Sequence, residues 1–314
     1  MLGLFGQAKL IYLFSFIVLL TTVVGCNSKQ AIPTAIQKPY IVVTTSIVAD
    51  TIRNIGKDRI TVEALMGPGV DPHLYKASPG DISKMNKASL IVYNGLHLEG
   101  KMSDVLEKLG RKKNTYAIAA PISKNELIFP SIGESLPDPH IWMDVNLWSQ
   151  TIKPLAEKLS MIDPENKSYY LQNAAAYQNQ LKNLNQKCYQ QIQTIPASQR
   201  VLITAHDAFR YFGKAYGMKV LGVQGISTES EAGLKEINNL VTLIAKQHIP
   251  AVFIESSVSP KNVQALLEGA KNKGEKVRLG GELYSDALGA TNTPEGTYIG
   301  MIKHNVRTIV EALR

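Results

Sequence analysis

Three of the six histidines in this 314-residue chain occupy positions that favour metal binding. His73 and His140 each end an Asp-Pro-His sequence, and His206 lies in Thr-Ala-His-Asp. All three stand just after a predicted strand or in a loop between predicted elements. Asp286, at the end of Gly-Gly-Glu-Leu-Tyr-Ser-Asp, follows the last predicted strand in the same way. Imidazoles and carboxylates are the side chains that bind divalent transition metals.

Two of these histidines are presented by stiff loops. The proline before His73 and His140 fixes its own φ and restricts the aspartate ahead of it. A single loop histidine is more often a hydrogen-bonded surface group than a ligand. Four metal-competent side chains at equivalent positions favour a joint site, so we predict that His73, His140, His206 and Asp286 bind one ion.

The predicted strands and helices around these residues indicate an α/β protein. From Tyr40 onward, short β-branched runs alternate with helical patterns, which indicates mainly parallel sheets. Asp163-Pro164 offers an N-cap followed by proline at the first helical position, and the pattern then runs to about Gln193 without Gly or Pro. We predict two α/β lobes joined by one long helix, with the metal cleft between the lobes at the carboxyl ends of the strands. The predicted bounds are 39–163 for the N-terminal lobe, 164–195 for the linking helix and 196–314 for the C-terminal lobe.

Two local expectations concern helices. The spacing of Ile152, Leu155, Ala156 and Leu159 predicts a single helix over about 147–161. A second helix is predicted over 207–216, with the carboxylate of Asp207 as its N-cap.

The N-terminus predicts secretion and a lipid anchor. An apolar run from Leu10 ends in Val-Val-Gly-Cys at Cys26, and its uncharged part has the length of a signal-peptide core rather than of a membrane-spanning helix. The ending is similar to the bacterial lipobox, in which the cysteine becomes the lipidated first residue. We predict a signal peptide at 1–25 and a lipid-anchored tether at 26–38. The alternative is an ordinary signal peptide with an incidental cysteine, and both place the protein outside the cytoplasmic membrane.

Composition excludes several other classes. The formal net charge is +8, but no block of five or six like charges suggests a nucleic-acid partner. With Cys26 lipidated, Cys188 is the one remaining cysteine, so no disulfide framework exists. We expect a monomer of two-domain length that binds no nucleic acid.

Several motifs together resemble a known family. The chain from about Tyr40 to Arg314 is similar to the metal-receptor lipoproteins of ABC importers for manganese, zinc and iron, the cluster A-I (cluster 9) solute-binding proteins with a single backbone helix. The motifs that carry the resemblance are Asp-Pro-His-Leu-Tyr, Asn-Gly-Leu-His-Leu-Glu, Asp-Pro-His-Ile-Trp-Met-Asp, Thr-Ala-His-Asp-Ala-Phe, Gly-Ile-Ser-Thr-Glu-Ser-Glu, Phe-Ile-Glu-Ser and Gly-Gly-Glu-Leu-Tyr-Ser-Asp.

The resemblance implies a ligand set and a partner. The family's four ligands fall on His73, His140, His206 and Asp286, and the partner is an ABC permease in the cytoplasmic membrane. Several manganese-specialised relatives carry glutamate at the third position, and zinc-specialised relatives often carry a His-rich acidic loop that 100–138 lacks. The implied cargo is therefore Zn²⁺ or Mn²⁺, with Fe²⁺ as a further candidate.

The sequence allows more than one role for several other residues and more than one function for the chain. His97 is a candidate for orienting a ligand, whereas His248 and His304 are expected on solvated helix faces. Some nearby acids are expected to hold imidazole N–H groups and others to cap helices: Asp144, Asp207, Glu229, Glu231, Glu255 and Glu282. Trp142 and Trp148 are expected at the lobe junction. The alternatives are a metal-dependent hydrolase, with a carboxylate such as Glu229 or Glu231 as its base, and a surface adhesin that uses the same fold.

Overall fold

The computed structural model describes residues 38–130 and 135–314. The predicted signal peptide and the predicted anchor at Cys26 lie outside the described residues. Within the described part, no helix is long and apolar enough to cross a bilayer.

The first lobe is a four-stranded parallel sheet with helices between its strands. The sheet has the order β2-β1-β3-β4, so β2 lies on one side of β1 and β3 lies on the other. The buried run Ile41, Val42 and Val43 is typical of a parallel strand covered on both faces. The elements are β1 Tyr40–Val43, α1 Ser46–Gly56, β2 Thr61–Ala64, α2 Pro79–Lys87, β3 Leu90–Tyr93, α3 Ser103–Gly110 and β4 Thr115–Ala117.

The single helix predicted over 147–161 is wrong, because two helices occupy this stretch. They are α4 Val145–Gln150 and α5 Ile152–Ile162, with Thr151 between them. Pro154 explains the break, because it has no N–H to donate to the carbonyl of Gln150 and its ring would clash there. The apolar spacing within α5 is as predicted, with Ile152, Leu155, Ala156 and Leu159 all buried.

A long helix follows, as predicted. A 3₁₀ turn at Pro164–Asn166 leads into α6 Lys167–Ile192. Asp163 was expected to cap the backbone here, but its carboxylate instead accepts from the side chains of Asn166 and Tyr170. One stripe of α6 is buried, and the helix packs against α1, α4 and α5 of the first lobe.

The second lobe contains two pairs of parallel strands, β5 with β6 and β7 with β8, and β5 lies beside β7. The helix predicted over 207–216 begins only at Arg210, and Phe209 rather than Asp207 precedes it. The cap prediction for Asp207 is therefore wrong. The elements are β5 Val201–His206, α7 Arg210–Tyr216, β6 Lys219–Gln224, α8 Leu234–Gln247, β7 Ala251–Glu255, α9 Lys261–Asn272, β8 Arg278–Leu283 and α10 Tyr298–Leu313.

The C-terminal segment returns to the first lobe. The Leu288 N–H donates to Ser46 Oγ at 2.9 Å, and the Tyr298 N–H donates to Asp50 Oδ2 at 3.0 Å. Helix α10 also packs along α6. The lobes are therefore connected by packing of α10 as well as by the linking helix.

Both tryptophans lie where the halves of the chain meet, which confirms their expected position. Trp142 donates from Nε1 to the carbonyl of Ser285 at 2.8 Å, and its own carbonyl accepts from the Tyr298 hydroxyl at 2.7 Å. Trp148 donates to Thr51 Oγ1, and its ring lies 6.0 Å from that of Tyr298. Each indole N–H thus has a partner, as a buried tryptophan requires.

Candidate metal centre

The structure brings the four predicted residues together. His73 lies in the loop after β2, His140 precedes a 3₁₀ turn at Ile141–Met143, His206 is the last residue of β5, and Asp286 follows β8. One donor atom from each lies within 4.8 Å of every other. All four side chains are buried, with exposed fractions from 0% to 3%.

The spacing of the donor atoms fits a tetrahedral ion. His140 Nε2 lies 3.3 Å from His73 Nε2 and 3.4 Å from His206 Nε2. Asp286 Oδ1 is 3.4 Å from His140 Nε2, and its Oδ2 is 3.4 Å from His206 Nε2. Donors held tetrahedrally about 2.0–2.1 Å from a zinc ion are separated by roughly 3.3–3.4 Å. The separation of His73 Nε2 from Asp286 Oδ2, 4.0 Å, exceeds this edge length.

Two carboxylates orient two of the imidazoles. Asp138 Oδ1 lies 2.8 Å from His140 Nδ1, and Glu255 Oε2 lies 2.5 Å from His206 Nδ1. A carboxylate only accepts, so each Nδ1 carries the proton and the lone pair of the neutral ring is at Nε2. Both Nε2 atoms face the centre of the cluster. Glu255 was among the acids expected to hold an imidazole N–H, and this expectation is confirmed.

The backbone of each histidine is also held by a carboxylate. Asp71 Oδ1 accepts from the His73 N–H at 2.8 Å, and Asp138 Oδ1 accepts from the His140 N–H at 2.9 Å. His206 N–H donates to Glu255 Oε1 at 2.8 Å. The two Asp-Pro-His sequences thus form the same local turn, which places the imidazole two residues after the carboxylate.

Burial and neighbouring charges shift the pKa values of the three histidines in different directions. Burial lowers the pKa of His73 to about 3, although Asp286 opposes the shift. Burial also disfavours charge on His140, but Asp138 and Asp286 outweigh it and raise the pKa of His140 to about 9. Glu255 and Asp286 outweigh burial in the same way and raise the pKa of His206. Burial disfavours the Asp286 carboxylate, yet His206 and His140 hold its pKa well below the ordinary value.

Asp286 has an oxygen that the protein leaves without a hydrogen bond. Among the described residues, the buried Oδ1 has no hydrogen bond of good geometry and its nearest imidazole nitrogen is His140 Nε2 at 3.4 Å, whereas Oδ2 accepts from Ser257 Oγ at 3.4 Å. A buried carboxylate oxygen without a partner is costly unless something else binds it. A metal ion at the centre of the cluster would supply that partner.

The remaining histidines lie outside this cluster. His97 is exposed in the loop after β3, and no hydrogen bond or ion pair with another described residue supports its expected role in orienting a ligand. His248 is 84% exposed, as expected. His304 is only partly exposed, because its ring packs on Tyr284 and its Nε2 lies 3.0 Å from the Glu282 carbonyl, so the expectation of a solvated side chain is wrong.

The acidic residues that were candidates for a role near the site have different partners. Asp144 caps α4 by accepting from the backbone N–H groups of Asn146 and Leu147. Asp207 accepts from the side chain of Arg210. Glu229 pairs with Lys101, whereas Glu282 lies on the exposed side of β8.

The sequence interpretation missed the roles of Asp71 and Asp138. The signal was present, because both Asp-Pro-His sequences place a carboxylate two residues before a candidate ligand. Only the structure shows that Asp138 also contacts the imidazole, whereas the second oxygen of Asp71 accepts from Thr228 Oγ1 at 2.5 Å.

Two α/β lobes that together bury three imidazoles and a carboxylate define a metal-receptor type of solute-binding protein. Residues 41–312 match the family model of the zinc-uptake complex component A, periplasmic (ZnuA). The chain belongs to the ZnuA family of metal-binding solute-binding proteins. The match confirms the family predicted from the sequence motifs.

Two relatives show how close the similarity is. The manganese-binding lipoprotein MntA of Bacillus subtilis (strain 168) is 47% identical over 290 residues, which cover 92% of this chain and 94% of that protein. The zinc-binding protein TroA of Treponema pallidum (strain Nichols) is 46% identical over 276 residues, covering 88% and 89%. The solved structure of the periplasmic zinc-binding protein TroA from Treponema pallidum matches with a TM-score of 0.85 over 88% of this chain and 99% of that one. This match confirms the predicted fold class.

Proposed function

We propose that this protein is the extracytoplasmic solute-binding component of an ABC importer, which captures a divalent transition metal and delivers it to a membrane permease. The observation that carries the proposal is the buried cluster of three histidines and one aspartate, whose donor atoms lie within 4.8 Å of one another. His73, His140, His206 and Asp286 are its ligands. The family match supports a role in metal uptake.

The cargo is Zn²⁺, Mn²⁺ or both, with Fe²⁺ as a further candidate. Three imidazoles at near-tetrahedral spacing favour zinc, which also binds nitrogen ligands more tightly than manganese does. The two oxygens of Asp286 face different imidazoles, at 3.4 Å each, so a bidentate carboxylate would provide a fifth donor. The names of the relatives point the same two ways, since one is called manganese-binding and the other zinc-binding.

We also propose a lipid anchor, a permease partner and bounds for the two lobes. Cys26 is lipidated after removal of residues 1–25, and residues 26–38 form the tether between the lipid and the first lobe. A monomer then meets its permease at the outer face of the cytoplasmic membrane. Residues 39–163 and 196–314 act as the two lobes, and 164–195 link them. The relative named as a lipoprotein supports an anchored location.

The alternatives have less support. A zinc hydrolase needs three protein ligands and an open fourth position for water, whereas Asp286 provides a fourth buried donor here. The suggested bases are engaged elsewhere, because Glu229 pairs with Lys101 at 3.1 Å and Glu231 accepts from Asn262 at 3.0 Å. An adhesin would not need a buried ligand set, and no observation specifically favours it.

Elemental analysis after dialysis tests the proposal. Purified protein is dialysed against an equal mixture of Zn²⁺, Mn²⁺ and Fe²⁺, and the bound metal is counted. We expect one tightly bound ion in the wild type and in the control His248→Ala, and none in the double variant His140→Ala with Asp286→Ala. Tight binding by calorimetry in that double variant would show that the site assignment is wrong.

A further inference from the structure

The loop between β6 and α8 contains no proposed ligand, but it reaches the first lobe beside His73. We call its residues, 225–233, the β6–α8 loop. A cavity of about 250 Å³ is lined by His73 and, from the β6–α8 loop, by Ile226 and Ser227, among others. Of the four proposed ligands, only His73 borders this cavity. The β6–α8 loop therefore lies beside the one proposed ligand that faces a cavity.

Two consecutive residues of the β6–α8 loop bond to the first lobe. Thr228 Oγ1 donates to Asp71 Oδ2 at 2.5 Å, and Glu229 Oε2 lies 3.1 Å from Lys101 Nζ. The hydroxyl bond is shielded from water, since Thr228 is only 8% exposed. The side chains of the ion pair are 39% and 40% exposed, so solvent screens their attraction and the pair contributes little. The bond from Thr228 is therefore the stronger of the two connections.

Asp71 links this bond to the metal centre. Its Oδ1 accepts from the His73 N–H at 2.8 Å, while its Oδ2 accepts from Thr228. One carboxylate thus joins the second lobe to the backbone of a proposed ligand in the first. The other two histidines have more support, because Asp138 and Glu255 each bond to both the backbone and the ring of theirs. Among the described residues, no carboxylate bonds to Nδ1 of His73, so its position depends on the backbone bond.

We propose that Thr228 is a positioning residue that slows release of the bound ion, because it holds Asp71 and, through Asp71, keeps His73 in place. The inference rests on the proposed function and extends it to metal release. Without the hydroxyl, Asp71 Oδ2 loses its donor, and the turn that carries His73 is free to move towards the cavity. The imidazole then leaves the ion more often, and three ligands hold the ion less tightly than four. The bond thus couples contact between the lobes to retention of the ion.

Release of Zn²⁺ to a chromophoric chelator tests the proposal. Protein loaded with one equivalent of Zn²⁺ is mixed with chelator at concentrations where the rate no longer depends on the chelator. Thr228→Val removes the hydroxyl but keeps the branched shape, and Thr228→Ala removes it without adding bulk. Both should release the ion about ten- to hundredfold faster than the wild type, since a hydrogen bond to a charged group contributes about that factor.

Two further variants provide the controls. Thr228→Ser keeps the hydroxyl and should release Zn²⁺ at nearly the wild-type rate. Thr242→Val removes a hydroxyl on the exposed side of α8, where it donates to the Asn238 carbonyl, and should also match the wild type. Lys101→Gln should speed release less than Thr228→Val does, because the ion pair that it removes is exposed.

A double-mutant cycle separates this role from a general loosening of the loop. If Thr228 acts through Asp71, adding Thr228→Val to Asp71→Ala should change the release rate by less than about twofold. The same acceleration with and without the Asp71 carboxylate would overturn the proposal. So would equal rates in the wild type and Thr228→Val, or a Thr228→Ser protein as fast as Thr228→Val. Failure of the proposed function would instead appear as a wild type that retains no ion after dialysis.

Discussion

Two buried carboxylates decide which nitrogen of each imidazole faces the proposed metal position. Asp138 and Glu255 accept from the Nδ1 atoms of His140 and His206, so the lone pairs are at Nε2. Each carboxylate also holds a backbone N–H of the same histidine. The ring is thus fixed in position before an ion arrives, and Nε2 is the nitrogen that loses its proton to the ion, which reduces the cost of ordering the ring on binding.

Glu255→Gln tests this arrangement. The amide keeps the size of the side chain but loses the negative charge that makes the His206 ring a stronger donor. We expect a ten- to hundredfold loss of Zn²⁺ affinity by competition with a chelator, the usual cost of losing such a partner. Glu282→Gln, on the exposed side of neighbouring β8, is the matched control and should bind as the wild type does. Unchanged affinity in a folded Glu255→Gln protein would contradict the orienting role.

The raised pKa of His140 predicts that metal and protons compete. Burial opposes charge on this ring, but Asp138 and Asp286 raise its pKa to about 9, so the metal-free protein carries the proton at pH 7. An ion must displace that proton from Nε2, so affinity should rise with pH by about tenfold per unit for each proton released and level off above the pKa. Calorimetry at pH 7 in buffers of different ionisation enthalpy should count at least one released proton. Binding at pH 7 without proton release would contradict the prediction.

At the scale of elements, the end of β5 depends on a close backbone approach. Gly222 on β6 lies against the residue that follows His206, since a Cβ there would be 2.4 Å from the Asp207 nitrogen and 2.6 Å from the Gln224 carbonyl. Both contacts are with backbone, so neither can move aside as a flexible side chain would. The glycine lets β5 and β6 bring His206 into the cluster without distortion.

Gly222→Ala should therefore destabilise the fold and weaken metal binding together. We expect a loss of about 1–3 kcal/mol in unfolding free energy, the usual cost of overpacking, measured by denaturant titration. Gly67→Ala is the control, because a Cβ there meets nothing within 4 Å. A Gly222→Ala protein with wild-type stability and affinity would show that the strands separate easily at this point.

At the scale of the whole molecule, the lobes are joined too extensively for large hinge motion. The long helix α6 packs along α1, α4, α5 and α10, and the segment from Leu288 to Tyr298 bonds back to α1. Hinge closure needs a few residues that absorb large changes in φ and ψ, and a packed helix offers none.

Small-angle scattering of metal-free and loaded protein should therefore show only a small change in radius of gyration. Metal binding should act on the loops that carry His73, His206 and Asp286 and should raise the melting temperature by mass action. The melting temperature of the His140→Ala and Asp286→Ala double variant provides the control, since it should not respond to metal. A large decrease in radius on loading would mean that the lobes close as rigid bodies.

The lipid anchor is the remaining prediction for the whole protein. Replacing Cys26 with serine should release the protein from membranes or leave its signal peptide uncleaved, as seen by cell fractionation. Cys188→Ser is a suitable control, because this cysteine is buried in the stripe of α6. Mass spectrometry that finds a mature N-terminus at another residue, without added lipid mass, would refute the anchor.

The class of fold and the candidate ligands could be predicted from the sequence alone. β-Branched runs and apolar spacings are local signals, so they predicted the alternation of strands and helices that the described residues show from Tyr40 onward. The two Asp-Pro-His sequences and the strand-end positions of His206 and Asp286 indicated a metal site for the same reason. The local signals failed where a neighbouring group competed, as at Pro154, which splits one predicted helix, and at Asp207, which bonds to Arg210 instead of capping α7.

The contacts between these residues became visible only in the folded protein. Glu255 reaches His206 from a strand 49 residues further along the chain, and Thr228 of the second lobe donates to Asp71, two residues before His73. Neither pairing leaves a periodic or spacing signal, because contact between distant segments depends on how whole elements pack. The near-tetrahedral spacing of the donors has the same origin, since four loops from two lobes must meet with ångström accuracy before their side chains can hold one ion.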